Sequence, residues 1–210
     1  PGTVNVAMRK LYRDHPPGGP IAPLAPRLEA WKAANVPGQQ AMRNELGPKG
    51  RLGRSIRALP LAIKVDDTIF AHSAITPRWA RLGISGLNEA AQQAWREAPA
   101  FYLDAPSDGL FRDSKGPLWN RSLVKSRSAR VQQQVASSLQ HLGARRMVVG
   151  HTMTQHLGGN NGEILTLHRG KIVCIDVGLG RDTPTPCAAL LIDRGIGYEW
   201  TPTGRRRLWK

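Results

Sequence analysis

Apolar residues in this chain recur with two periods, one helical and one strand-like, in stretches divided by glycine and proline. Val131, Val135, Leu139 and Leu142 fall at helical spacing and predict a helix over 126–142, stopped by Gly143 in the C′ position. Ala90, Ala91, Ala94 and Trp95 predict another over 87–98. Shorter helices are expected at 25–35, with Leu28, Trp31 and Lys32 on one side, at 39–46, and at 50–59 through Leu52, Ile56 and Leu59. Strand character appears at 61–65 and 68–71 around an Asp66-Asp67 turn, and in the buried run Met147-Val148-Val149. Two hairpins follow, 163–168 with 171–177 around Arg169-Gly170, and 188–193 with 196–200 around Arg194-Gly195. Residues 1–26 read as loop, because His15-Pro16-Pro17-Gly18-Gly19-Pro20 lacks donors and fixes φ. Residues 99–116 read as irregular, 158–162 as a Gly/Asn loop, and 202–210 as a basic, frayed tail. Small helices, strands, two longer helices and a strand-rich last third predict an α/β (α+β layered) fold whose last third is mainly antiparallel. Neither a repeat nor a domain boundary interrupts 1–210, so a single domain is expected.

Charge adds a property that the pattern does not contain. Lys and Arg number 30 against 15 acidic residues, a net charge of +15, and eight of the 30 are lysine, leaving 22 arginines. Such a chain attracts polyanions, whether nucleic acid or phosphorylated substrates. The linear sequence shows no aromatic–basic interleaving and no nucleic-acid motif beyond charge, so the expected partner is a phosphorylated substrate rather than nucleic acid. Cys174 and Cys187 form no disulfide framework, C-x-x-C pair or zinc site, which favours a reducing, intracellular compartment. No run reaches the roughly 18–20 apolar residues of a membrane span. Pro1 to Ala7 has no signal-peptide pattern, and the missing initiator Met reads as a chain processed or cut from something longer.

Candidate chemistry sits at two matching places. His72 ends Thr68-Ile69-Phe70-Ala71, and His151 ends Met147-Val148-Val149-Gly150; each follows an apolar strand and precedes a small residue, Ser73 or Thr152. Strand tips are where α/β folds present chemistry. Neutral imidazole is the commonest metal-ligating side chain, so a shared metal is one reading and two separate structural histidines the other. Gly150 is expected to let the backbone turn or approach closely. Arg121 follows an aromatic residue just before a helix, and its guanidinium fork suits phosphate. Asp176 places a carboxylate in the apolar run Cys174-Ile175-Asp176-Val177, where it needs a partner. It either orients a group near His151 or accepts local backbone bonds. His15, His141, His156 and His168 lack the strand-tip setting.

These stretches resemble a known family. Thr68 to Pro77 resembles the strand-His-Gly-Gly-Leu-x-Pro segment of calcineurin-like metallophosphoesterases. Gly116-Pro117-Leu118-Trp119-Asn120-Arg121 resembles the G-P-L-W-x-R segment of the Shewanella-like protein phosphatase branch. Arg146 to Thr152 resembles that branch's R-M-V-V-G-H-T, and Ile175-Asp176-Val177-Gly178 its I-D-V-G. The four motifs come in the family's order. The resemblance implies a four-layer αββα sandwich, here partial, with two divalent metals (manganese, iron or zinc). It implies that His72 and His151 help bind one metal, that Arg121 contacts the substrate phosphate, and that Asp176 and Thr152 lie behind the ligands. The implied reaction is hydrolysis of phosphate monoesters of phosphoproteins by a metal-activated hydroxide.

The departures bear on activity. The family's G-D-x-H-G, G-D-x-x-D-R-G and G-N-H-E blocks are missing, since the chain contains no Gly-Asp and no Asn-His dipeptide. With them go the bridging aspartate, the other metal's ligands and the histidine that would act as general acid. The chain is therefore expected to be an N-terminally incomplete phosphoesterase domain, weak or inactive by itself. Ser73-Ala74 replaces the family's Gly-Gly and is expected to crowd the site or shift its backbone. Two other functions share the same features: a nucleotide or dinucleoside-polyphosphate hydrolase of the superfamily, and a non-catalytic basic module that binds polyanions. The substrate, the metals and the oligomeric state stay open at this level.

Overall fold

The computed structural model describes Trp31 and residues 38–97, 109–179 and 187–210, and the chain divides into two compact units, 1–44 and 45–210. Of the first unit, Trp31 is helical, Gly38 is in a turn and residues 39–44 belong to helix α1 (Gln39–Leu46). The rest of the helix expected at 25–35, and the loop expected at 1–26, lie outside the described residues.

The second unit is built on two sheets. Its elements are α2 (Arg51–Ala58), β1 (Ala62–Val65), β2 (Thr68–Ala71), α3 (Pro77–Ala80), α4 (Gly83–Glu97), α5 (Ser122–Lys125), α6 (Ala129–Leu142), β3 (Arg146–Val149), a 3₁₀ turn (Thr154–Leu157), β4 (Leu165–Leu167), β5 (Ile172–Cys174), β6 (Ala189–Asp193), β7 (Ile196–Thr201) and β8 (Gly204–Trp209). The first sheet has the order β1-β2-β3-β5-β4 and the second the order β6-β7-β8. In the first, β2, β3 and β5 run parallel at the centre, with β1 and β4 antiparallel at the edges. Parallel neighbours require crossovers, and the stretch from 72 to 145, which contains α3 to α6, supplies the one between β2 and β3.

Alternation along the central strands sorts the core into two faces. Ile69, Met147, Val149, Ile172 and Cys174 pack against Ala80, Leu87, Leu123, Val135, Leu139 and Leu142 of the helices. Phe70, Val148 and Val173 point the other way, onto Ile164, Val177, Ala188, Leu190, Leu208 and Trp209, which includes side chains of the second sheet. The described residues therefore form helix, sheet and sheet layers, a partial sandwich of mixed α/β class. Ile69, Met147, Ile172 and Val173 are fully buried, each stabilising the fold by about 1.5–3 kcal/mol relative to exposure. No described helix is long and apolar enough to cross a membrane.

The structure departs from the sequence expectation locally in three places. Helix α6 begins at Ala129 because the Ser128 hydroxyl accepts from the Val131 N–H and caps it, while Ser126 is extended. Helix α4 begins a turn earlier than the apolar stripe indicates. The basic tail at 202–210 is not frayed: Gly204–Trp209 is the edge strand β8, paired with β7. Arg205 and Arg206 have partners there, and the Arg205 guanidinium lies over the Tyr198 ring. Arg206 Nε donates to the buried Glu199 at 2.8 Å, and the Glu199 carboxylate also accepts from the Ile164 N–H.

Candidate functional site at the ends of the parallel strands

The register of the central strands sets the site. Ala71 pairs with Val149, and Val149 with Cys174, so the next residues of β2, β3 and β5 emerge side by side. Neighbouring strands lie only about 4.8 Å apart. His72, His151 and Asp176 therefore leave three adjacent strands at their carboxyl ends, the place where open parallel sheets bind ligands. The ladder continues past the strands, with Gly150 N–H donating to His72 C=O at 3.0 Å and Ile175 N–H to Val149 C=O at 2.8 Å.

The two imidazoles meet. His72 Nε2 lies 3.1 Å from His151 Nδ1, with ring centroids 4.9 Å apart and planes at 59°. The Trp119 and His151 rings meet in a T-shaped contact, with centroids 5.7 Å apart and planes at 86°. The backbone turn that aims His151 is made by the histidine itself rather than by Gly150. His151 has φ of 67°, and Thr152 N–H bonds back to Gly150 C=O at 2.8 Å, so three residues close a γ-turn with a strained centre. A Cβ on Gly150 would meet only His72 O, at an ordinary 3.7 Å. Glycine is not what permits the turn.

Electrostatics tie Arg121 and Asp176 to the pair. Burial lowers the His72 pKa from its ordinary value, and the Asp176 charge works against it. Burial is also the largest cause of the lowering at His151, followed by the Arg121 and His72 charges, while the Trp119 carbonyl and Asp176 raise it. Arg121 is exposed at the N-cap of α5 and makes no capping bond. Asp176 is half-buried; its carboxylate accepts from Gly178 N–H at 3.3 Å, and its carbonyl accepts from Thr154 N–H at 2.9 Å. Thr152 is buried and its hydroxyl has no hydrogen-bond partner, so no bond joins it to either imidazole. The remaining described histidines stand elsewhere. His141 and His156 are exposed, and His168 is bonded to Leu123 C=O at 2.8 Å.

Two lowered histidines make stability depend on pH. The unfolded chain takes up protons near about pH 6.5, while the folded chain takes them up only at lower pH. Stability rises with pH wherever the unfolded state holds more protons. This contribution is therefore complete above about pH 6.5 and is lost as pH falls toward the lowered folded values. Urea unfolding midpoints should drop between about pH 7.5 and 5.5, and drop less in the His72→Ala/His151→Ala variant. An equal drop in both proteins would place the linkage elsewhere.

The loop that carries Arg121 is anchored by residues that sequence reading passed over. Ser73-Ala74, expected to crowd the site or shift its backbone, ties the backbone to the next segment: the Ser73 hydroxyl donates to Pro117 C=O at 2.8 Å, and its N–H donates to the same oxygen at 3.2 Å. Asn120, 1% exposed, donates through Nδ2 to Ala74 C=O at 2.8 Å, and its Oδ1 accepts from Ser122 N–H at 2.9 Å and from the Ser122 hydroxyl at 2.7 Å. Trp119 Nε1 donates to Phe111 C=O at 2.7 Å. The segment after β2 and the segment before α5 are thus one clamped unit. In the sequence Asn120 stands between Trp119 and the polar Arg121-Ser122, a setting that carries no sign of its burial.

The donor set fits part of a metal centre. Two nitrogens bonded to one ion at about 2.1 Å stand about 3.0–3.4 Å apart for right-angle to tetrahedral geometry, and the observed 3.1 Å falls in that range. Depressed pKa values also keep both rings neutral, as ligation requires. The described residues hold no cluster of three or more His, Cys, Asp or Glu side chains that could complete a site, so they do not fit a two-metal centre. Both cysteines are free; Cys174 is buried in β5 and its thiol is pushed up to about 12, chiefly by burial, which makes it a poor nucleophile.

No protein-family model matches the chain. Among solved structures, it is similar to the cold-active protein tyrosine phosphatase of a psychrophilic Shewanella species, with a TM-score of 0.60 and 20% identity over 78% of this chain and 47% of that one. A further structure of a cold-active protein tyrosine phosphatase matches with a TM-score of 0.60 and 18% identity, over 76% of this chain and 45% of that one. The chain therefore spans about half the length of the structures it resembles. The likeness shows a shared fold.

Proposed function

We propose that this chain carries the histidine-bearing part of a metal-dependent phosphoesterase site that acts on phosphoproteins, and that by itself it hydrolyses phosphate monoesters weakly or not at all. The observation that carries this reading is the convergence of His72 Nε2 and His151 Nδ1 to 3.1 Å at the ends of adjacent parallel strands. The fold shared with structures named as protein tyrosine phosphatases supports it. His72 and His151 would hold one divalent ion, which would neutralise charge on phosphoryl oxygens and acidify water. The Asp176 carboxylate, whose field reaches both rings, would favour the cation. Arg121 would bind two phosphate oxygens through its guanidinium fork. The weakness follows from the ligand count, because stable centres take four ligands with supporting contacts.

Tungstate, a phosphate mimic, should bind the purified chain by calorimetry only when Mn²⁺ or Zn²⁺ is present. That binding should be lost in His151→Ala and weaken about tenfold or more in Arg121→Ala, which removes a charge-assisted bidentate contact. With p-nitrophenyl phosphate, turnover should stay well below about 1 s⁻¹. Tungstate binding that ignores both metal and Arg121 would overturn the site assignment. Turnover in the ordinary enzyme range would overturn the claim of weakness.

A further inference from the structure

The second sheet has a face that no described core residue covers. Its inner face carries Leu190, Glu199 and Trp209 and packs on the first sheet or bonds to the segment before it. Register fixes what lies on the outer face. Leu191 pairs with Tyr198 and Tyr198 with Arg207; Ala189 pairs with Trp200 and Trp200 with Arg205. Side chains alternate along each strand, so Tyr198, Trp200, Arg205 and Arg207 share one side with Ala189 and Leu191. Trp200 is 48% exposed and Leu191 40%. Arg205 and Arg207 are exposed, and the Arg205 guanidinium lies 4.7 Å over the Tyr198 ring. Asp193, at the hairpin end of β6, is the acid that shares this alternation.

We infer that this face binds single-stranded nucleic acid, with Trp200 and Tyr198 as the stacking platform and Arg205 and Arg207 tracking the phosphates. The sequence shows no aromatic–basic interleaving because the two kinds of residue lie on different strands; antiparallel pairing of β7 with β8 interleaves them in space. Tyr198 and Trp200 are two residues apart on one strand, about 7 Å, so a base stacked on the exposed Trp200 lies beside Tyr198 and the arginine over it. Every base has a π-face, so such a platform accepts single strands of any sequence, while arginine charge holds the backbone. The arginine stacked on Tyr198 carries its charge on the platform itself. A net charge of +15 favours a polyanion over any other partner. An acidic peptide would use the charges and leave the aromatic rings idle, so the rings favour nucleic acid. This face is separate from the strand ends that carry His72 and His151, so the inference stands apart from the phosphoesterase reading.

Fluorescence anisotropy with labelled oligothymidylate, titrated over a range of KCl, tests it on the whole chain. Trp200→Ala should weaken binding roughly tenfold or more. Arg205→Ala/Arg207→Ala should reduce the slope of log affinity against log salt by about 1.4, at about 0.7 for each phosphate no longer neutralised. Arg130→Ala/Arg169→Ala removes the same charge from exposed positions on α6 and the β4–β5 turn, and should leave that slope unchanged. Equal binding by Trp200→Ala and the unaltered protein would overturn the inference. So would duplex bound as tightly as single strand, or polyglutamate competing as well as unlabelled oligothymidylate.

Discussion

Zn²⁺ affinity, read by competition with a chromophoric chelator, is expected to fall at least about 100-fold when His151 is replaced by alanine, and equally when His72 is. The loss should exceed the 10–100-fold typical of removing a group that merely supports a ligand, because each substitution removes one of two donor nitrogens standing 3.1 Å apart. Little of the binding energy goes into arranging the pair. Parallel pairing of β2 and β3 fixes one ring beside the other, and the turn at His151 is already in its strained form. Both rings are held neutral by burial, so few protons need leave at pH 7. Arg121 acts in the opposite direction. Its charge already disfavours a cation at His151, so Arg121→Ala should bind Zn²⁺ slightly more tightly. The exposed His141 and His156 serve as controls, and replacing either should change nothing. If His151→Ala binds Zn²⁺ as the unaltered protein does, the two imidazoles share a proton and no more.

Asn120→Ala should destabilise the fold by about 2–4 kcal/mol, since each buried polar group left without a partner costs about 1–3 kcal/mol and the lost amide leaves a cavity beside it. Ala74 C=O, in a residue 1% exposed, loses its side-chain donor. Ser122 loses the acceptor of both its N–H and its hydroxyl, but it is exposed and recovers water. For a chain of this size the midpoint of thermal unfolding should fall by about 5–15 °C. Ser73→Ala removes one bond of the same clamp but leaves the Ser73 N–H on Pro117 C=O, so it should cost about 1 kcal/mol. A melt of Asn120→Ala within a degree of the unaltered protein would mean that the clamp adds nothing to stability.

The strand tips were legible because a short apolar run followed by histidine is a local pattern. Their adjacency was not. β2 and β3 pair across about 75 residues of chain, and neither periodicity nor composition encodes a partner at that distance; only the ordered motifs suggested that His72 and His151 meet. The source of the turn was misplaced for a related reason. Glycine is the usual left-handed residue, yet the ladder bond from Gly150 N–H to His72 C=O keeps Gly150 in line with the strand and passes the positive φ to His151. Arg205-Arg206-Arg207 looked like a solvated tail because three successive charges carry no strand signal. What makes them a strand is non-local: Glu199, buried on the neighbouring strand, takes Arg206, and Tyr198 lies under Arg205. Ser73 and Asn120 were hidden because a buried polar residue is recognisable only by the carbonyls it meets.

Nitrogen-resolved NMR of the imidazoles during Zn²⁺ addition tests the central claim most directly. Before metal, one proton should be shared between His72 Nε2 and His151 Nδ1. At one equivalent of Zn²⁺ those two nitrogens should move together to metal-bound shifts, with His72 Nδ1 and His151 Nε2 carrying the protons and the other histidines unmoved. Metal-bound shifts at any other histidine, with the shared proton undisturbed, would contradict the account.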